Sequence, residues 1–156
     1  MEIEIGNLLK EKNLTISCAE SCTGGLLTDR LTNVAGSSAY VKGAVVAYAN
    51  EIKINVLRVN AETVKNFGAV SEQTAKEMAE NVRQILNTNI GVSITGIAGP
   101  GGGTPEKPVG TVFIGISGDK GDKVEKFQFN GSRTEIKEKT VEAALVLIQV
   151  YLTNNF

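Results

Sequence analysis

The chain has 156 residues, an apolar share of 42% and a formal net charge of −1, enough for one domain with a real core. There is no basic surplus to suggest nucleic acid and no charge run to suggest an anionic membrane surface. It contains no histidine, which excludes every Ser–His and Cys–His pair and the commonest metal ligand.

In chain order, residues 2–12 read as an amphipathic helix with Ile3, Ile5, Leu8 and Leu9 on one side. The start Met1-Glu2-Ile3-Glu4 lacks the basic and apolar segments of a signal peptide. No apolar stretch approaches the roughly 18 residues of a spanning helix. A cytoplasmic protein without membrane contact is expected. A short buried strand ends near Cys18, and a helix carrying Leu26, Leu27, Leu31 and Val34 follows Ser21 and stops near Gly36.

A second strand, 41–48, contains the run Ala44-Val45-Val46-Ala47, which suits burial on both faces. Asn50 then caps a helix reaching about Leu57, and another helix covers 61–67. Ser71 caps a helix over 72–87 with Ala75, Met78, Ala79, Val82 and Leu86 on one face. Strand 91–95 leads into a glycine-rich loop, 96–108, that holds all 3 prolines of the chain. Strand 109–117, a turn at 118–122 and strand 123–129 make a hairpin. Ser132 opens a last helix reaching Leu152, ahead of a polar tail. Residues 1–156 are expected to form a single three-layer α/β/α domain, its mixed, largely parallel sheet ending in the hairpin.

Ligands of such sheets collect outside the carboxyl ends of the strands. Three segments meet that description: Ser21, the stretch from Tyr48 to Lys53, and the loop from Gly96. Ser21 sits where a strand turns into a helix. Its hydroxyl is either an ordinary cap or a nucleophile, with the amides of Cys22 and Thr23 as oxyanion donors. Gly24 and Gly25 weaken a first helical turn, yet they let a ligand approach the backbone closely.

Lys53 is either a solvated surface group or, in a dry cleft, an amine whose lowered pKa lets it take the Ser21 proton. Tyr48 either packs at the strand end or donates to a substrate. Cys18 and Cys22 have neither redox nor zinc spacing and read as two buried thiols, although a helix start can activate Cys22. The loop has many free amides and suits a small anionic or planar ligand, but it is neither a Walker A loop nor a dinucleotide fingerprint. Ser132 and Glu135 have capping-box spacing, which leaves Arg133 at a helix start where its fork can hold a phosphate or carboxylate.

These residues together resemble the CinA C-terminal domain family over residues 2–153. The motifs that carry the resemblance are Ala19-Glu20-Ser21-Cys22-Thr23-Gly24-Gly25, Tyr48-Ala49-Asn50-Glu51-Ile52-Lys53, Gly68-Ala69-Val70-Ser71-Glu72, Thr95-Gly96-Ile97-Ala98-Gly99-Pro100 and Lys107-Pro108-Val109-Gly110-Thr111-Val112. The resemblance implies an amidase that converts nicotinamide mononucleotide to nicotinic acid mononucleotide and ammonia in pyridine-nucleotide salvage. It implies Ser21 as nucleophile, Lys53 as general base and Tyr48 assisting, with Thr95 lining the site and Arg133 holding the phosphate. It implies no cofactor, no metal and a homo-oligomer.

Ala49 stands where many relatives carry serine, and Lys137 replaces a second arginine. The resemblance does not reach the larger N-terminal domain of many relatives, so pyrophosphatase-type activity is not carried over. A non-catalytic nucleotide-binding or regulatory module is the alternative, because a fold does not by itself settle function.

Overall fold

Strand-forming, mostly apolar segments alternate with amphipathic ones, and each finds its place in one sheet. The strands are β1 (Ile16–Glu20), β2 (Val41–Val46), β3 (Ile90–Gly96), β4 (Thr111–Gly118) and β5 (Gly121–Gln128). The computed structural model describes residues 1–153 and orders the strands β2-β1-β3-β4-β5. β1 pairs in parallel with β2 and β3, while β4 is antiparallel to both β3 and β5. Four strands therefore run one way and β4 the other.

The helices are α1 (Glu2–Glu11), α2 (Leu26–Thr32), α3 (Asn50–Asn55), α4 (Ala61–Phe67), α5 (Glu72–Ile85) and α6 (Arg133–Leu152). The two faces of the sheet bury different kinds of residue. One face presents Ile16, Cys18, Val92, Ile94, Ile114 and Ile116 to α1, α2 and α6 in the larger core. Each such Ile or Leu side chain contributes about 1.5–3 kcal/mol when fully removed from water. The other face is built from small residues, because α5 lies directly on the strands. A Cβ on Gly91 would meet the Ala79 carbonyl oxygen at 2.2 Å, and one on Gly115 would meet the Ser93 hydroxyl at 2.6 Å. Ser93 Oγ itself donates to the Ala75 carbonyl at 2.6 Å.

Several local expectations are corrected. Ile3 does not share the buried side of α1: it is exposed, because the contacting face is set by Ile5 and Leu9, four residues apart. Helix α2 starts at Leu26 and ends at Thr32, and a 3-10 turn at Ser37–Ala39 precedes β2. β2 is an edge strand and only half-buried: Ala44 and Val45 pack toward opposite cores, but Val46 is exposed. The cap position of α3 is Ala49, so Asn50 is its first helical residue and caps nothing. Ser71 and Ser132 do cap α5 and α6, the latter with a complete capping box. The polar tail expected after Leu152 lies, from residue 154 on, outside the described residues.

Candidate active site

Ser21 directly follows β1 and still belongs to the ladder, since its amide donates to the Ile94 carbonyl of β3 at 3.0 Å. The expectation that it begins a helix is corrected. Residues 21–25 form a separate turn, in which Gly24 and Gly25 have φ of +63° and +106°, before α2 starts at Leu26. Those values are the left-handed region that favours glycine, so the pair shapes the turn as well as sparing room. Among the described residues, the amides of Cys22 and Thr23 donate to no other residue. Cys22 lines the cavity beside Ser21, so its amide is available to a ligand, from a turn rather than from a helix, whereas Thr23 is 1% exposed.

Lys53 projects from α3 into the protein. Only 2% of it is exposed. Its Nζ lies 2.9 Å from Ser21 Oγ, 2.9 Å from the Ala47 carbonyl oxygen and 3.4 Å from the Tyr48 carbonyl oxygen. No carboxylate pairs with it among the described residues. Burial pushes its pKa below the ordinary 10.5. The depression comes from desolvation, with no need of the dipole of so short a helix.

The partner set suits a base. A neutral amine has two N–H groups and one lone pair. With both N–H groups directed at the two carbonyls, the lone pair is left for the Ser21 hydroxyl. Once protonated, the same nitrogen has three donors for three acceptors. Both protonation states are thus satisfied without rearrangement, which a group that takes and returns a proton requires.

Ser21 opens into a cavity of about 230 Å³ lined by Cys22, Tyr48, Arg133 and the loop from Gly96 to Gly102. Arg133, the first residue of α6, spans its mouth. One guanidinium nitrogen donates to the Gly99 carbonyl at 2.6 Å and the other to the Tyr48 hydroxyl at 2.7 Å. Tyr48 is 59% exposed, and its phenol points to Arg133 while its carbonyl steadies Lys53. The loop is not a slack connection. Lys107 ties it back to the Phe67 carbonyl at 2.7 Å, and Val109 fills the space beside Gly99 and Gly103.

The structure thus brings together Ser21, Lys53, Tyr48, Cys22, Gly96 and Arg133. Three other expected contacts lie outside the cavity wall. Thr95 is fully buried and gives its hydroxyl to the Ala69 carbonyl at 2.7 Å. The Thr23 hydroxyl donates to Glu20 at 2.6 Å, and Gly24 faces Lys137. Glu20 is a further residue of the site that the sequence signals only by its position one residue before Ser21. Cys18 and Cys22 are free and buried, and burial pushes Cys22 up to about 11, which removes it as a reactive thiolate.

The family model of the CinA C-terminal domain matches residues 1–152. The chain belongs to that family. It is 51% identical over 155 residues to a CinA-like protein of Sulfurihydrogenibium sp., covering 99% of this chain and 39% of that protein. It is 49% identical to a CinA-like protein of Dictyoglomus thermophilum, covering 99% of this chain and 38% of the relative. The CinA domain seen here therefore spans well under half the length of these relatives.

Solved structures agree. A competence/damage-inducible protein of Agrobacterium tumefaciens superposes with a TM-score of 0.93 at 42% identity, over 97% of this chain and 93% of that one. A CinA-superfamily protein of Klebsiella pneumoniae gives 0.94 at 30% identity, over 98% and 96%. No helix of the described residues is long and apolar enough to cross a membrane.

Proposed function

We propose that this CinA domain is a serine amidohydrolase that deamidates nicotinamide mononucleotide to nicotinic acid mononucleotide and ammonia. The observation that carries the reading is the buried, carboxylate-free amine of Lys53, 2.9 Å from Ser21 Oγ, with two carbonyls orienting it. Neutral Lys53 accepts the Ser21 proton as Oγ attacks the carboxamide carbon. The oxyanion develops beside the free amide of Cys22 at the cavity wall. When the tetrahedral adduct collapses, Lys53 returns its proton to the leaving nitrogen and ammonia departs. Water, deprotonated by the same amine, then hydrolyses the acyl-serine to the carboxylate and restores Ser21. The donors that Arg133 now gives to Tyr48 and Gly99 are neutral pairings, which a nucleotide phosphate would exchange for charge-assisted ones.

The test is ammonia release from nicotinamide mononucleotide by the purified protein beside Ser21→Ala. Release by the parent and none by the variant supports the reaction and the nucleophile together. No release, with the nucleotide still raising the melting temperature, overturns the enzyme in favour of a binding module.

A further inference from the structure

Glu20 is the most completely enclosed charged residue beside the site, with 0% exposure, and no cation pairs with it among the described residues. It is held by donors alone. Oε1 accepts from the Thr23 hydroxyl at 2.6 Å and the Leu27 amide at 2.9 Å; Oε2 accepts from the Thr28 amide at 3.0 Å and the Thr28 hydroxyl at 2.6 Å. Leu27 and Thr28 are the second and third residues of α2, whose own cap position is Gly25 and has no side chain to offer. Two amides that a helix start leaves orphaned are therefore satisfied by a carboxylate from the preceding strand.

The geometry follows from strand alternation. Glu20 enters the side of the sheet shared with Cys18 and α2, while Ser21, the next residue, meets Lys53, whose helix packs on the opposite core. The Thr23 hydroxyl, held by the same carboxylate, belongs to the turn of residues 21–25 that follows Ser21 directly, so Glu20 ties that turn to the start of α2. We infer that Glu20 is the positioning residue of the site: by capping α2 and holding the Thr23 hydroxyl, it fixes the turn that carries Ser21 and the Cys22 amide against Lys53. The inference rests on the reading of Ser21 as nucleophile, but not on the identity of the amide substrate.

Glutamine is a sharp probe here. Each carboxylate oxygen of Glu20 accepts one main-chain amide, so no orientation of a glutamine can satisfy both; one NH2 must face an N–H. The reporter is a fluorophosphonate, which forms a bond from Ser21 Oγ to phosphorus as fluoride leaves. Rates are followed against pH at temperatures where each variant is folded by circular dichroism. The parent should label at Ser21 with a rate that rises as Lys53 loses its proton. Glu20→Gln should label about tenfold to a hundredfold more slowly, as expected for a displaced reacting group, and lose that pH dependence. Thr28→Val, which removes one of the four donors, should lie between the two.

With nicotinamide mononucleotide the loss should fall on kcat and leave KM in place. A merely structural cap would lower the melting temperature and leave the labelling rate and its pH profile intact. That result for folded Glu20→Gln, or for Thr28→Val should the glutamine variant not fold, overturns the inference, as does a parent that does not label at Ser21. A parent that labels at Ser21 but releases no ammonia defeats the amidase reading alone.

Discussion

Two serines of this protein precede helices, one directly and one across a turn, and they are put to opposite uses. Ser132 accepts the Glu135 amide at 3.2 Å, while Glu135 reaches back to the Ser132 amide at 3.1 Å, all of it exposed. Ser21 is 7% exposed, caps nothing, and has its hydroxyl against a buried amine. What separates them is the neighbourhood. At α6 the serine is the only short polar side chain in place to cap. At α2, Glu20 already occupies the amides, and the hydroxyl of Ser21 meets a buried lysine from another helix. A serine ahead of a helix becomes a candidate nucleophile when another group caps the helix and its own hydroxyl meets a desolvated base.

Exchanging the two serines for alanine breaks the comparison most directly. Ser21→Ala should lower ammonia release on the order of 10⁴-fold or more with little change in melting temperature. Ser132→Ala should cost about 1 kcal/mol of stability, as for a lost cap, and leave the turnover rate unchanged. Equal rates for the two variants would dissolve the distinction.

The partner of Ser21 comes next. Lys53→Met keeps much of the volume and removes the amine, so the rate should fall by about 10²–10⁴-fold, the worth of a general base, without loss of stability. Because only neutral Lys53 accepts the proton, the parent rate should rise with pH through a value below 10.5. The stability consequence has the same sign. Between the folded pKa of Lys53 and 10.5, the unfolded chain holds a proton that the folded one lacks. Over that window the parent should gain stability relative to Lys53→Met as pH rises; below it the difference should be constant. Denaturant midpoints of both proteins across the window test this, and a flat difference would place Lys53 in water.

The smallest effect sharpens the boundary of the site. Thr95→Val removes a hydroxyl donated to the Ala69 carbonyl, outside the cavity wall. It should cost about 1 kcal/mol of stability and leave KM unaltered. A raised KM would instead bring Thr95 into contact with substrate, as the family resemblance implies.

Most of the framework was legible because it is written in local periodicity and caps. Helix α4 at 61–67, the Ser71 cap, the α5 face and the Ser132 capping box are all set by residues within a turn or two of each other. The rest depends on partners far along the chain. The edge position of β2 cannot be read from Ala44-Val45-Val46-Ala47, since the same apolar run fits a central strand. The start of α2 falls later than the residues after Ser21 suggest, because its cap comes from Glu20, well before the usual position for one. Thr95 lies in β3 just before its last residue, and alternation turns its hydroxyl toward Ala69. The absence of histidine left Lys53 open between a surface group and a base for Ser21, and the family resemblance implied the base; their separation of 32 positions is closed only by the fold.

The glycines at 91 and 115 bear on how the family could diversify. Where a helix rests on bare backbone, the spacing between layers is fixed by main-chain atoms, and even one added methyl group must lever α5 away. That half of the molecule behaves as a foundation with no tolerance for variation. Substitutions at 91 and 115 should therefore surface as heat-sensitive alleles, while adaptation to new ligands would be confined to the opposite rim, where the loop after Gly96 and the start of α6 meet the cavity.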